Sequence, residues 1–183
     1  MDGLLIKFLT PQLESPGRSF WSLFEPIRAE LDGMYWCFSN QAWMGAPDVF
    51  DWETVMEPFA GQGQTEVSLW RPHTLAMYAD TFAEEYIELW GVDAPADKAT
   101  RLAAAYNASY DDRIMQENAD AWLHYMDSTC WEIYAKETYL VDSVYGALSA
   151  RSSVAVFKGW AEERRELFAR AGLADFWSSF TGQ

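Results

Sequence analysis

Basic side chains are scarce in this chain. Lysine and arginine total 13 over 183 residues against 28 aspartates and glutamates, a formal net charge of −15 at neutral pH, and the sequence pI is about 4.3. Phosphate backbones are held by clusters of Lys and Arg that displace counterions. The deficit therefore argues against direct binding of nucleic acid, and an anionic membrane surface would repel the chain for the same reason. Cysteine is almost absent, with Cys37 and Cys130 the two present. A secreted disulfide scaffold usually carries more, so both are expected to be reduced. No run approaches the 18 or so apolar residues of a membrane span. The opening Met1-Asp2-Gly3-Leu4-Leu5-Ile6-Lys7-Phe8-Leu9 has a short apolar stretch, an acid where a leader carries positive charge, and no small-residue cleavage site, so it reads as mature structure. The expected compartment is the cytoplasm.

Catalytic and cofactor signatures are missing too. His73 and His124 are the only histidines, and neither a His-Glu-x-x-His pattern nor a paired-cysteine spacing occurs, which argues against a zinc site. No Gly-x-Ser-x-Gly elbow is present, and Gly61-Gln62-Gly63 lacks the third glycine and the lysine of a phosphate loop. Cys130 with His124 and Asp127 is the one conceivable nucleophilic set. A bare cysteine on a strand is ordinarily inert packing, and His124 reads as a satisfied core histidine. No cofactor, no metal and no catalytic residue is expected.

What the chain has is apolar mass and segregated charge. Half of its residues are hydrophobic and 16% aromatic, unlike acidic disordered chains, which cannot repay the entropy of ordering. A chain of this length buries roughly 70% of its unfolded surface, enough for one core and a single domain over 1–183. Between Ala29 and Asp97 lie thirteen carboxylates and one basic side chain, Arg71, a net −12 within 69 residues that leaves the remainder near −3. The same segment holds Trp36, Trp43, Trp52, Trp70 and Trp90. That combination suits an aromatic acidic surface that holds a basic partner.

Short apolar and aromatic runs at 4–9, 34–38 and 66–70 read as strands, and 122–136 as a hairpin. If Ser128-Thr129 formed a two-residue turn, Trp122, His124, Met126, Trp131 and Ile133 would share a face, although that pair is poor turn chemistry. Phe20, Leu23, Phe24, Ile27 and Leu31 recur at helical spacing, with Pro26 forcing a kink or a start near Glu25. A helix over 75–90 is expected to begin near Pro72 and end at Gly91. It would place Leu75, Tyr78, Phe82, Tyr86 and Leu89 on one face and Asp80, Glu84 and Glu88 on the other. Further helices are expected at 96–106, around 111–120, at 139–148 and at 160–171, with a strand at 154–157. The pattern as a whole predicts an α+β fold with a mainly antiparallel sheet.

Two sets of residues are the candidate partner-binding surface. One is Asp48, Asp51, Glu53 and Glu57 with Trp43 and Trp52, in the irregular stretch 39–64; the other is Asp80, Glu84 and Glu88. The function expected from them is an acidic inhibitor of the immunity type that neutralises a basic toxin or nuclease, carboxylates steering association and rings limiting dissociation. A nucleic-acid mimic that blocks a DNA-binding protein is the near alternative. An enzyme or small-ligand module whose acids serve solubility is the distant one.

Overall fold

The computed structural model describes residues 1–10, 16–39, 67–70, 86–109, 112–126 and 129–181. Seven strands among them form one sheet in the order β3-β2-β4-β5-β6-β1-β7, with every neighbouring pair antiparallel. The strands are β1 (Asp2–Phe8), β2 (Tyr35–Ser39), β3 (Val67–Trp70), β4 (Tyr86–Val92), β5 (Ala121–Met126), β6 (Cys130–Ala135) and β7 (Val154–Trp160). The helices are α1 (Pro16–Phe24), α2 (Arg28–Gly33), α3 (Ala96–Ser109), α4 (Asp112–Asn118), α5 (Thr138–Leu148), α6 (Arg164–Arg170) and α7 (Ala174–Thr181). The α+β class with an antiparallel sheet is therefore as the sequence pattern predicts.

Alternation along the central strands divides their side chains between two cores. On one face Leu4, Ile6, Ile87, Leu89, Leu123, Tyr125, Trp131 and Ile133 pack under α1, α2 and α5. On the other, Leu5, Trp90, Trp122, Met126, Cys130 and Tyr134 meet Ala99 of α3, Met115 of α4 and Leu167 and Phe168 of α6. Both faces of β5 and β6 are buried throughout, which is why each strand is apolar or aromatic at every position but one, His124 and Glu132. The two fully buried indoles keep their N–H groups bonded: Trp36 donates to the Leu31 carbonyl at 2.7 Å and Trp131 to Ser19 Oγ at 2.8 Å. Pro26 does kink the first helix, since a 3-10 turn at Glu25–Ile27 separates α1 from α2. Gly172, at φ +70°, closes α6 while Leu173 N–H bonds to the Phe168 carbonyl at 2.8 Å and Lys7 Nζ to that of Ala171 at 2.8 Å.

Three expectations change. Residues 86–92 are strand β4, not the end of a helix, and 71–85 lie outside the described residues. Ile87 and Leu89 feed one core and Trp90 and Val92 the other, so a short run apolar on both sides is central strand, which helical spacing alone could not distinguish. Glu88 accordingly belongs to no helical row. In the hairpin, Met126 pairs with Cys130, so three residues intervene instead of two. That odd count puts Trp122, His124 and Met126 with Cys130, Glu132 and Tyr134, and sends Trp131 and Ile133 to the opposite face with Leu123 and Tyr125. Finally, Trp160 ends β7, and a 3-10 turn at Ala161–Glu163 precedes α6.

Gly91 thus serves a strand, not a helix end. A Cβ there would lie 2.8 Å from Trp36 Cη2 and 2.9 Å from Met34 Sδ, so overpacking predicts that Gly91→Ala destabilises the protein by roughly 1–3 kcal/mol. Urea unfolding measures this, and an unchanged or raised midpoint would contradict the strand assignment.

Candidate functional site

The sheet face beneath α6 carries two transverse rows of side chains at cross-strand spacing. Trp90, Trp122 and Tyr134 occupy paired positions on β4, β5 and β6. Their rings stack, with Trp90 and Trp122 4.7 Å apart and Trp122 and Tyr134 4.9 Å apart. Tyr134 extends over β1 because Gly3 stands opposite it: a Cβ on Gly3 would fall 2.4 Å from the tyrosine ring. The next row is polar, Glu88 opposite His124 and His124 opposite Glu132.

Glu132 is wholly buried, and α6 supplies its countercharge. Arg164 Nε donates to both carboxylate oxygens at 2.9 Å, and its Nη2 reaches Glu132 and His124 Nδ1. Tyr134 donates to the same carboxylate at 2.5 Å, and His124 Nδ1 lies 3.0 Å from it. The guanidinium also sits 4.7 Å from the Trp122 ring centre and 5.0 Å from that of Trp177, on α7. Burial alone would raise the Glu132 pKa, but Arg164 and the hydrogen bonds bring it down to about 2. Burial lowers His124 to about 4 against the pull of Glu132, so the ring is neutral at physiological pH. Desolvation works against the Arg164 charge, and Glu132 more than restores it. Burial, then the Glu132 charge, raises the Cys130 thiol and the Tyr134 hydroxyl. His124 is thus committed to Glu132 and Arg164, and Cys130 is a neutral free thiol with no solvent exposure. Asp127 lies outside the described residues.

Of the residues expected to meet a partner, Asp48, Asp51, Glu53, Glu57, Asp80, Glu84, Trp43 and Trp52 lie outside the described residues. Glu88 is described. It is half-buried on β4 and accepts the Trp122 indole N–H at 3.0 Å. That contact turns it toward the aromatic row, away from a free anionic ridge.

The described part of the acidic segment instead delivers carboxylates to a cleft of about 280 Å³ between α2, the strand ends and the start of α5. Glu30 and Asp93 come from the segment; Asp120, Glu137 and the half-exposed Tyr139 join them from the balanced remainder. Asp120 is tied down, accepting the Asp93 backbone N–H at 2.9 Å and facing Lys136 at 3.4 Å. Glu30, Asp93 and Glu137 make no ion pair among the described residues. Desolvation, then Glu30, Glu137 and Asp93, raises the Tyr139 hydroxyl pKa. Among the described residues no three acids, histidines or cysteines are placed to share a metal ion. No helix there is long and apolar enough to cross a membrane. Sequence reasoning found Glu30 and Asp93 only as members of a charged stretch and missed Asp120, Glu137 and Tyr139. The available signal was that Asp93 and Asp120 flank two strands that prove to be neighbours.

No family model, no curated protein and no solved structure matches this chain. The reading of function therefore rests on its own residues and geometry.

The buried row makes stability acid-sensitive with a definite sign. Between pH 6.5, where a free histidine titrates, and about pH 4, where folded His124 does, the unfolded chain binds a proton that the fold refuses. Stability is complete above this window and falls within it by on the order of 3 kcal/mol. Glu132, depressed from 4.5 to about 2, adds a further loss as pH falls through that lower range. Urea midpoints against pH should show His124→Gln flattening the upper step; a slope equal to the parent's would contradict the assignment. Glu132→Gln leaves Arg164 without its countercharge and is expected to cost about 3–5 kcal/mol at pH 7, and a near-neutral effect would count against a structural pair.

Proposed function

We propose that the protein is an acidic protein-binding inhibitor of the immunity type, which neutralises a basic partner such as a toxin or nuclease. The observation that carries this reading is the segregation of charge: net −12 over 29–97 against about −3 elsewhere. Solubility alone needs a dispersed excess of charge, whereas concentration in one segment creates a directed field that steers a cationic partner and raises its association rate. The cleft at Glu30, Asp93, Asp120 and Glu137 supports the reading because it is concave and anionic, and Glu30, Asp93 and Glu137 make no ion pair among the described residues. Tyr139, half-exposed beside those carboxylates, has the character of an interface anchor, a rigid ring with a polar end. A lysine or arginine of the partner would enter the cleft, with Glu30 and Asp93 accepting its hydrogen bonds. The segment's remaining acids and Trp43 and Trp52 would extend the contact.

The test is capture of a basic protein from native lysate at low and high salt, followed by kinetics on the pair obtained. Glu30→Lys with Asp93→Lys and Glu137→Lys should slow association about tenfold or more at low ionic strength, as should reversal of Asp48, Asp51, Glu53 and Glu57. Tyr139→Ala should mainly speed dissociation, by roughly tenfold. Binding indifferent to salt and to both sets of reversals would reduce the acidic segment to a solubility feature and end this reading.

A further inference from the structure

A second cavity, of about 380 Å³, opens above the aromatic row and shares no residue with the acidic cleft. Its walls include Trp90 and Trp122 from the sheet, Trp177 from α7, and Arg164 and Arg165 from α6. That size, with indole walls and several converging polar groups, is characteristic of small-molecule sites.

The polar groups specify the occupant. Arg164 is only 17% exposed, and its Nε and Nη2 are used by Glu132, His124 and Met126. Nη1 has no acceptor among the described residues. It is the one guanidinium nitrogen not spent on the buried row, in a side chain that lines the cavity. A guanidinium donor left open in an indole-lined space is best satisfied by an anionic oxygen, and Arg165 adds a second cation at the same wall. Glu162, the one carboxylate among the described lining residues, is 75% exposed and so well screened by water. The tryptophans specify the rest. Trp122 is stacked with Trp90 and Tyr134, and the Arg164 guanidinium lies over its ring, 4.7 Å from the centre, so indole and guanidinium planes share this wall and suit a flat aromatic ring.

We propose that this cavity binds a small planar aromatic carboxylate, its oxygens on Arg164 Nη1 and Arg165 and its ring packed among Trp90, Trp122 and Trp177. The site is independent of the partner surface, since the acids of the cleft take no part in it. A planar acid of one or two rings fits the volume, and a cation would meet Arg164 and Arg165.

The experiment titrates the full chain with benzoate and with indole-3-acetate, following the indole N–H resonances by ¹H–¹⁵N spectroscopy. Benzyl alcohol supplies the ring without charge, and acetate the charge without the ring. At least one aromatic acid should saturate with a Kd of about 1 mM or tighter, shifting Trp122 and Trp177, with both controls about tenfold weaker. Ala161→Phe, which fills the space from the wall, should abolish binding, and Arg165→Gln should weaken it several-fold, roughly the loss of one charged hydrogen bond. Arg164→Lys keeps a countercharge for Glu132 but lacks Nη1, and should weaken binding about tenfold if folded; the other two variants carry the test regardless. The proposal is overturned if neither acid saturates by about 10 mM, if benzyl alcohol binds as well as benzoate, or if Ala161→Phe and Arg165→Gln both bind like the parent.

Discussion

A carboxylate with no exposure to water, held by one arginine from another element, is the constraint on which this fold turns. Glu132 sits in the interior of a seven-stranded sheet, where an uncompensated charge would be untenable. Arg164 makes it tenable, and doing so fixes where α6 lies. Because the guanidinium is also set against Trp122 and Trp177, α7 is positioned through the same side chain. A buried pair of this kind contributes little net stability compared with apolar packing of similar shape, but removing one member is costly. Its plainest effect is on register. A one-residue slip of β6 would carry Glu132 onto the opposite face, among Leu123, Tyr125 and Leu4, where no cation is available to it among the residues of that core.

Most of the architecture was legible from local pattern. Strands near 4–9, 34–38 and 66–70, a hairpin over 122–136 and helices near 96–106 and 139–148 all lie where apolar spacing and turn residues put them. The error at 86–92 came from a run whose two faces are both buried. Tyr86 and Leu89 fit a helical stripe by spacing, and only pairing with β2 and β5 decides against it. Face assignment in the hairpin failed on a single residue of loop length, because parity in a strand is all or none.

The polar row was less legible because its members are far apart in sequence. His124, Glu132 and Arg164 come from three elements, and Glu132 in an aromatic strand looks like an outward-facing residue until both faces are known to be covered. A usable hint existed: within 121–135 the only acids are Asp127, at the turn, and Glu132. The cleft was half visible, since Glu30 and Asp93 belong to a segment whose charge is obvious, while Asp120, Glu137 and Tyr139 reach it only through strand order.

The molecule thus divides its charge by location. Arg164 is used inside, to neutralise a buried acid, and with Arg165 it lines one cavity, while carboxylates that make no ion pair among the described residues, Glu30, Asp93 and Glu137, gather around a cleft at the strand ends. Such a division suits the basic partner proposed above, with the core cationic only where a buried acid requires it. The most direct measurement of that account is amide hydrogen exchange of the chain, free and in complex with its captured partner. The account predicts slowed exchange at 29–34, 93–94, 120 and 137–140 and within 40–66, with α6 and α7 unchanged. Protection confined to α6 and α7, with the acidic cleft exchanging as in the free chain, would contradict it.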